Sequence, residues 1–232
     1  MKTKKQTAFL IIICIVTFSI FTALTYLVKT NNHWLETRDS ATLLKMTAER
    51  NMLYNYVFVA ISYLGETKTI MLLCLFFLLL PNRKILGFPL LLITTESFLL
   101  SIIFKAIVFR PRPVGYFLEE PVLNYSFPTG PSFPSGHAQT ATVFWLSLAI
   151  LFATNYSSKI TEDLIVANTT VFCFLMCIAR VYLGVHFLSD VIAGVCLGIF
   201  IIGTNVLLYN HYKTNSKFFV LNKYKLQKKF YT

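Results

Sequence analysis

The stretch ARVYLGVHFLSDVIAGVCLGIF, residues 179–200, joins two apolar segments across a tight turn at Gly184. It predicts the end of one membrane-spanning helix and the start of the next. Arg180, His186 and Asp190 lie at this junction, where a purely structural turn needs none of them. A membrane crossing takes about 20 predominantly apolar residues, and blocks of that length recur along the chain. The fold is therefore predicted from these blocks, and the function from the polar residues between them.

The composition of the 232-residue chain excludes most soluble classes of protein. Hydrophobic residues make up 56% of it and charged residues only 13%, whereas soluble domains carry about 25% charged residues. The net charge is +11, but a nucleic-acid-binding domain would cluster that charge on one polar face. The five cysteines are odd in number and lie in apolar blocks, so we expect no disulfide framework and no zinc site. These features predict an all-α integral membrane protein with no nucleic-acid partner.

Six apolar blocks predict a bundle of six transmembrane helices. The first is longer than the apolar region of a signal peptide, so we expect it to be retained as an anchor. The second is interrupted near its start by Gly-Glu-Thr-Lys at residues 65–68. Between these two, the segment Trp34–Leu53 mixes apolar and charged residues at loosely helical spacing, which predicts an amphipathic helix along the membrane interface. The predicted spans are residues 8–28, 57–80, 85–109, 137–153, 164–183 and 186–209.

The distribution of Lys and Arg predicts the orientation of the chain. Cytoplasmic loops carry an excess of these residues, and the basic start, the Arg83-Lys84 turn, Lys159 and the basic tail at 210–232 all fall on one side of a six-span chain. We therefore expect a single domain over residues 1–232 in the cell (cytoplasmic or inner) membrane, with both termini in the cytoplasm. The tail can also attract anionic lipid, but enforcing the topology is the simpler role for it.

Three cationic residues are predicted to meet on the outer side, which faces the exterior or the periplasm. Lys105 and Arg180 lie at the outer ends of the third and fifth spans, and Arg112 follows in Arg-Pro-Arg-Pro. Guanidinium groups offer planar forks that match phosphate oxygens. The N–H groups of Ser135 and Gly136 open the fourth span, where a helix N-terminus favours phosphate. These residues together predict a site for a dense anion.

Two histidines and an aspartate add reactive groups to this predicted site. His186 and Asp190 are four residues apart, which places them on one face of a helix. Asp190 can then hold one ring nitrogen and leave the other free to attack phosphorus, while His137 protonates the leaving oxygen. Carboxylates do not cluster as a metal site requires, so we expect no metal or other cofactor. Fixed cations would then stabilise the transferring phosphoryl group.

The arrangement resembles the three signatures of the type 2 phosphatidic acid phosphatase superfamily. The order, the spacings and the six-span context agree, and the signatures cover residues 105–190. One position departs, because Ala179 stands where the third signature usually begins with serine, which removes a secondary hydroxyl and leaves every principal role filled. The matching residues are Lys105-x6-Arg112-Pro113, Pro134-Ser135-Gly136-His137 and Arg180-x5-His186-x3-Asp190.

The resemblance implies a metal-independent hydrolase of lipid phosphomonoesters or pyrophosphates, acting through a phosphohistidine on His186. It assigns Asp190 to orient His186 and His137 to act as the general acid. It assigns phosphate binding to Lys105, Arg112, Ser135, Gly136 and Arg180. Bacterial enzymes that dephosphorylate undecaprenyl pyrophosphate or phosphatidylglycerol phosphate are similar, and we favour undecaprenyl pyrophosphate as the substrate. Phosphatidylglycerol phosphate, phosphatidic acid and a lipid A phosphate remain alternatives.

A non-catalytic lipid-binding protein or a transporter is the alternative from another class. Transporter sites usually lie near the midplane of the membrane, on broken helices or between inverted repeats. The polar cluster predicted here is interfacial, and the sequence shows no internal repeat. An enzyme is therefore the stronger expectation.

The remaining polar and aromatic residues have ordinary structural explanations. Arg110 could touch substrate, but solvation or headgroup anchoring is the simpler expectation. For Glu96, deep in the third span, we expect a helix–helix hydrogen bond. Its candidate partners are Asn168, Thr169 and Thr170 in the fifth span. Loop packing and a role in walling the site explain four aromatic residues equally well: Tyr116, Phe117, Phe127 and Phe133.

Overall fold

Helices account for the regular structure of the protein in a computed structural model, which describes residues 4–114, 122–125, 128–156 and 158–215. No strand occurs within those ranges, and the predicted all-α class is confirmed. A 3-10 turn, Val122–Asn124, lies in the connection between the fifth and sixth helices. In chain order the α-helices are α1 Lys4–Lys29, α2 His33–Ala48, α3 Met52–Leu64, α4 Thr67–Leu79, α5 Gly87–Val108, α6 Gly136–Tyr156, α7 Lys159–Tyr182 and α8 Leu188–Asn215.

The described helices supply the predicted six membrane crossings only if one crossing is broken. Helices α1, α5, α6, α7 and α8 are each long and apolar enough to span a membrane, and α3 and α4 qualify together with a bend of 48°. The bend falls at Gly65, where a side chain would collide with the sulfur of Met176 in α7. The indole N–H of Trp145 donates to the carbonyl of Leu64 at 3.2 Å. This bond satisfies a backbone group near the break, as the apolar bilayer requires.

Helix α2 is the predicted amphipathic segment, but it is shorter than expected. It ends at Ala48 rather than at Leu53, because Asn51 begins a new helix. The side chain of Asn51 accepts a hydrogen bond from the N–H of Tyr54 at 3.0 Å, which is the N-cap arrangement that starts α3.

One face of α2 packs against the bundle. Leu35, Asp39 and Leu43 are buried on it at a spacing of four residues, and Trp34 is exposed. An acidic residue therefore lies in the middle of the buried face, between two leucines.

Helix α8 lies close to α6 because glycines line the surface between them. A Cβ atom at Gly194 would lie 2.6 Å from the carbonyl oxygen of Ser135, and one at Gly198 would lie 3.1 Å from that of Gln139. Two glycines four residues apart let helix backbones approach closely in a membrane. The first turns of α6 and α8, which carry His137 of the second signature and Asp190 of the third, are thereby held together.

Glu96 makes the predicted helix–helix hydrogen bond, but with a different helix. Its carboxylate accepts from the side-chain amide of Asn205 in α8 at 2.7 Å, because α5 packs against α8. The predicted partners in α7 were wrong: Asn168, Thr169 and Thr170 bond to carbonyls of their own helix. All five cysteines are free and buried.

Candidate active site

The ends of four helices and the connection after α5 bring the predicted site residues together. Lys105 lies in the last turn of α5 and Arg180 in the last turn of α7. Ser135 directly precedes α6, Gly136 and His137 begin it, and Asp190 lies in the first turn of α8. The alternating directions of the spans predicted that these helix ends would lie on the same side of the membrane.

His186 lies in the turn before α8, whereas the sequence predicted that it would open the helix. Helix α8 begins at Leu188, because Asp190 caps it by accepting a hydrogen bond from the N–H of Phe187 at 3.0 Å. The same carboxylate oxygen, Oδ2, lies 3.5 Å from Nδ1 of His186. The carboxylate of Asp190 therefore lies near the predicted ring nitrogen of His186, across the helix start rather than along a helix face. Nδ1 makes no hydrogen bond within the described residues, so the two groups interact through charge.

The second ring nitrogen of His186 faces the cations. Its Nε2 lies 3.1 Å from Nη1 of Arg112. Because a guanidinium group only donates hydrogen bonds, Nε2 is the acceptor and the ring proton belongs on Nδ1, beside Asp190. Burial lowers the pKa of His186 well below its usual value, and the charges of Arg112, Arg180 and Lys105 lower this pKa further. The imidazole is therefore neutral at pH 7, which is the form that can attack phosphorus.

Lys105 and Arg112 are both held by backbone carbonyls near the site. The Lys105 ammonium donates to the carbonyl of Pro131 at 2.7 Å. Arg112 donates from Nε to Gly130 at 3.0 Å and from Nη1 to Val185 at 2.9 Å. Burial lowers the pKa of Arg112 to about 10, with a further contribution from the charge of Arg180. Arg112 therefore remains a cation at pH 7.

Arg180 is the most deeply buried of the three cations. It has 0% exposure, and its Nη1 donates to the hydroxyl of Tyr125 at 2.8 Å. Its Nε and Nη2 have no hydrogen-bond partner within the described residues. Unsatisfied buried donors are costly, about 1–3 kcal/mol each and more when charged. An anion bound beside Arg180 would satisfy them. Sequence reasoning missed Tyr125, because no motif marks this one tyrosine among several aromatic residues of its loop.

The start of α6 differs in one respect from the prediction. The N–H of Ser135 donates to the backbone carbonyl of Asp190 at 2.9 Å, because the glycine-lined contact brings the two helix starts together. This N–H is therefore not directed at a phosphate. The Ser135 hydroxyl accepts from the N–H of Ala138 at 3.4 Å. The N–H groups of Gly136 and His137 belong to the first turn of α6, where a helix offers no carbonyl partner of its own.

His137 belongs to the same charge cluster. The groups whose charge acts on its ring are Arg180, His186, Arg112 and Lys105. Its Nε2 is buried and has no hydrogen-bond partner among the residues described. Both catalytic histidines proposed from the sequence therefore lie by the three cations.

Arg110 has a role that the sequence prediction got wrong. It is neither solvated nor free to anchor a headgroup, because its Nη1 donates to Asp190 at 2.7 Å and to Ser189 at 2.8 Å. Its Nη2 donates to Asp39 at 2.8 Å. Sequence reasoning missed Asp39, although a charged residue between Leu35 and Leu43 at helical spacing could have revealed it.

A cavity of about 260 Å³ adjoins the cation cluster. It lies between the end of α1, the helix α2 and the connection after α5. Its lining combines apolar side chains with the two arginines of the Arg-Pro-Arg-Pro segment. The lining residues are Leu27, Val28, Asn31, Leu35, Glu36, Ser40, Arg110, Pro111, Arg112 and Phe187.

The outer-loop aromatic residues can be placed only in part. Tyr116, Phe117 and Phe127 lie outside the described residues. Phe133 belongs to the hydrophobic core, with its ring centroid 6.2 Å from that of Phe21. Within the described residues, no group of three or more His, Cys, Asp or Glu side chains is arranged to hold a metal ion.

Two histidines lie beside buried cations at one end of a helical membrane bundle, and this arrangement suits a bound anion. Residues 86–215, more than half of the chain, match the model of the PAP2 superfamily. The chain therefore belongs to the PAP2 superfamily, which is the type 2 phosphatidic acid phosphatase superfamily whose signatures it carries.

Solved structures confirm the fold. A transmembrane PAP2 type phosphatidylglycerolphosphate phosphatase from Bacillus subtilis is 22% identical, with a TM-score of 0.75 over 88% of this chain and 98% of that one. LpxE from Aquifex aeolicus is 29% identical, with a TM-score of 0.54 over 72% of this chain and 94% of that one. The protein thus has the multi-pass membrane fold of the PAP2 superfamily.

Curated relatives are phosphatases by name. Glucose-6-phosphatase 3 of Mus musculus is 27% identical over 71% of this chain and 52% of its own length. Glucose-6-phosphatase 2 of Mus musculus is 29% identical over 44% of this chain and 34% of its own length. The chain spans about half or less of the length of these relatives. They are hydrolases that act on phosphate esters.

Proposed function

We propose that this protein is a metal-independent phosphatase of membrane lipids that works through a phosphohistidine on His186. The observation that carries the proposal is the buried cluster around that ring. A neutral imidazole with Asp190 3.5 Å from its Nδ1 faces Arg112 at 3.1 Å, and Arg180 keeps two unsatisfied donors in the same cluster. This arrangement supplies both a nucleophile and positive charge for the phosphoryl group.

The reaction follows from the roles of the two histidines. Arg112 and its neighbours bind the phosphate oxygens, which releases Nε2 of His186 from its contact with Arg112. The negative charge of the bound phosphate offsets the cations around His137, so that its ring takes up a proton in the complex. Nε2 of His186 then attacks phosphorus, the bond from phosphorus to the leaving oxygen breaks, and the protonated His137 gives that oxygen its proton. In the second step His137 takes a proton from water. The resulting hydroxide attacks phosphorus, and the bond from phosphorus to nitrogen breaks to release phosphate.

The cavity beside Arg112 supports a lipid as the substrate. Leu27, Val28 and Leu35 line it, and it lies between the end of a membrane-spanning helix and an interfacial helix. A lipid chain can remain there in an apolar environment while its phosphate reaches the arginines. We favour undecaprenyl pyrophosphate, with phosphatidylglycerol phosphate, phosphatidic acid and a lipid A phosphate as alternatives.

The same proposal includes the arrangement in the membrane. The 232 residues form one domain, the termini lie in the cytoplasm, and the active site faces the exterior or the periplasm of the cell membrane. The basic residues at the termini and in the Arg83-Lys84 turn support this orientation.

Phosphate release from purified protein tests the activity. We expect release from lipid phosphates in EDTA without added metal. His186→Ala should abolish both this release and the acid-labile phosphoenzyme. His33→Ala, a change at an exposed histidine at the start of α2, is the matched control and should leave turnover unchanged. Substantial turnover by His186→Ala would overturn the proposed nucleophile.

A panel of lipids tests the substrate. Rates of phosphate release from undecaprenyl pyrophosphate, phosphatidylglycerol phosphate, phosphatidic acid and a lipid A phosphate would be compared in the same mixed micelles. We expect the highest kcat/KM for undecaprenyl pyrophosphate. A higher kcat/KM for any other member of the panel would reassign the substrate and leave the phosphatase mechanism intact.

A further inference from the structure

A chain of buried charges extends from His186 to the interfacial helix α2. Asp190 contacts His186 through one carboxylate oxygen and Arg110 through the other. Arg110 continues to Asp39 at 2.8 Å. Asp39 has 3% exposure, Arg110 10% and Asp190 0%. Buried charges of this kind interact strongly because little water screens them.

Asp39 is also bonded to the start of α8. Its Oδ1 accepts from the N–H of Ser189 at 3.0 Å, and its Oδ2 accepts from the Ser189 hydroxyl at 2.5 Å. Ser189 precedes Asp190 in the chain. One carboxylate on α2 therefore holds both the cation that contacts Asp190 and the residue next to Asp190.

The charge balance of this group explains why a second carboxylate matters. Arg110 paired with Asp190 alone would neutralise the negative charge that faces His186. With Asp39 present, Arg110 is shared between two carboxylates, and the three side chains keep one net negative charge. When Nε2 bonds to phosphorus, the His186 ring becomes positively charged, and a negative charge beside Nδ1 stabilises that form.

We infer that Asp39 is a positioning residue for catalysis, which holds Arg110 and Ser189 so that Asp190 remains oriented and negatively charged beside His186. Asp39 acts through these residues and does not touch the phosphate. The inference rests on the proposed phosphatase function and adds to it a residue that none of the three sequence signatures contains.

Three variants test this inference in the full-length protein. Asp39→Asn removes the charge and keeps the shape, Asp39→Glu keeps the charge, and Glu49→Gln removes an exposed charge just after the end of the same helix. We expect Asp39→Asn to lower kcat about tenfold to a hundredfold, the size of effect seen when residues that orient metal-binding histidines are replaced. Because the interaction matters in the transition state, KM should change little. Asp39→Glu should recover part of kcat, and Glu49→Gln should match the unmodified protein.

A pH profile separates positioning from a purely structural role. His186 faces the positive groups Arg112, Arg180 and Lys105, the second histidine His137 and the carboxylate Asp190. Loss of the Asp39 charge makes these surroundings more positive. The acidic limb of kcat/KM should therefore shift to lower pH in Asp39→Asn and return toward the original position in Asp39→Glu.

Two results would overturn the inference. One is a kcat for Asp39→Asn within about twofold of the unmodified protein, a difference of only about 0.4 kcal/mol. The other is a loss of activity that is equal in Asp39→Asn and Asp39→Glu, with the acidic limb unmoved.

A second variant keeps the test decisive if Asp39→Asn does not fold. Ser189→Ala then replaces it as a milder change to the same contacts. A lowered kcat with an unchanged melting temperature then supports the inference, and an unchanged kcat overturns it. Lack of phosphatase activity in the unmodified protein would instead contradict the proposed function.

Discussion

His186 combines almost complete burial with two different partners for its two nitrogens. It has 1% exposure, Asp190 lies at Nδ1, and Arg112 lies at Nε2. The reactivity of this proposed nucleophile depends on the charges around it more than on contact with solvent. Substitutions near His186 are therefore expected to act mainly by changing the charge around its ring.

The pH dependence of kcat/KM follows from the lowered pKa of His186. Burial and three neighbouring cations favour the neutral ring, so the free enzyme keeps its nucleophile as the pH falls below about 6.5, the usual histidine value. The acidic limb should therefore lie below pH 6.5. The same shift affects folding. The free energy of unfolding falls as the pH drops below about 6.5, because the unfolded chain then binds a proton that the buried ring does not. Initial rates at low substrate across the acidic range measure the limb. A midpoint at or above 6.5 would contradict a neutral, buried His186.

Tyr125→Phe tests the contact that holds Arg180. The change removes the hydroxyl that accepts from Arg180 at 2.8 Å and keeps the ring. A hydrogen bond to a charged group is worth about 1.5–3 kcal/mol, so we expect KM to rise by about tenfold or more. Steady-state kinetics measure this. The control is Tyr63→Phe, since the Tyr63 ring packs against Tyr125 with centroids 5.8 Å apart. Equal effects of the two changes would argue against a role for the Tyr125 hydroxyl.

Residue types and spacing were enough to predict where Lys105, Arg180 and His186 meet, because alternating spans carry the ends of α5 and α7 to the same side. They were not enough to predict Tyr125 or Asp39. A tyrosine in a loop and an aspartate on an amphipathic helix become significant only through their tertiary partners. For the same reason, Arg110 appeared from the sequence to be a solvated neighbour of Arg112.

Among the helices, the pair α6 and α8 carries most of the site. Gly194 and Gly198 bring the two backbones together, and the N–H of Ser135 reaches the carbonyl of Asp190. The distance between the two helix starts determines how far His137 lies from His186. Substitutions at these glycines therefore affect catalysis as well as packing.

Gly194→Ala should reduce activity because its new Cβ would lie 2.6 Å from the carbonyl oxygen of Ser135. A backbone atom cannot rotate away, so α6 and α8 must separate. Overpacking of this kind costs about 1–3 kcal/mol. We expect a lower melting temperature in detergent and a loss of turnover of about tenfold or more, since small displacements of reacting groups are costly.

Gly203→Ala is the matched control for that change. Gly203 lies in the same helix but faces Cys14 of α1, away from the site residues. It should lower the melting temperature with little effect on kcat. Equal losses of kcat in the two variants would show that the contact at Gly194 has no special relation to the site.

Helix boundaries were the least predictable elements. The apolar blocks predicted α1, α5 and α8 well, because a membrane span needs a continuous apolar stretch. The end of α2 at Ala48 depended instead on the local cap formed by Asn51. The bend between α3 and α4 was visible in the sequence only as an interruption at residues 65–68. Its angle comes from packing of Gly65 against Met176.

At the scale of the whole molecule, the proposed orientation can be measured with single cysteines. The five native cysteines are buried and would first be replaced by alanine. In that background, Thr129→Cys on the outer connection should react with a membrane-impermeant maleimide in intact cells. Lys84→Cys in the Arg83-Lys84 turn should react only after the cells are permeabilised. The reverse labelling pattern would place the active site in the cytoplasm.

The ion pair between Asp39 and Arg110 limits which segments of this protein can be replaced by the corresponding segments of a relative. Residues 86–215 match the family model, but Asp39 lies outside that range, on α2. A chimera that joined residues 86–215 of this protein to the first helices of a relative would retain every signature residue. Unless the donor supplied a carboxylate at the same place, Arg110 would be left with Asp190 alone. The compatibility of such chimeras therefore depends on one charge in a helix that the signatures do not mention.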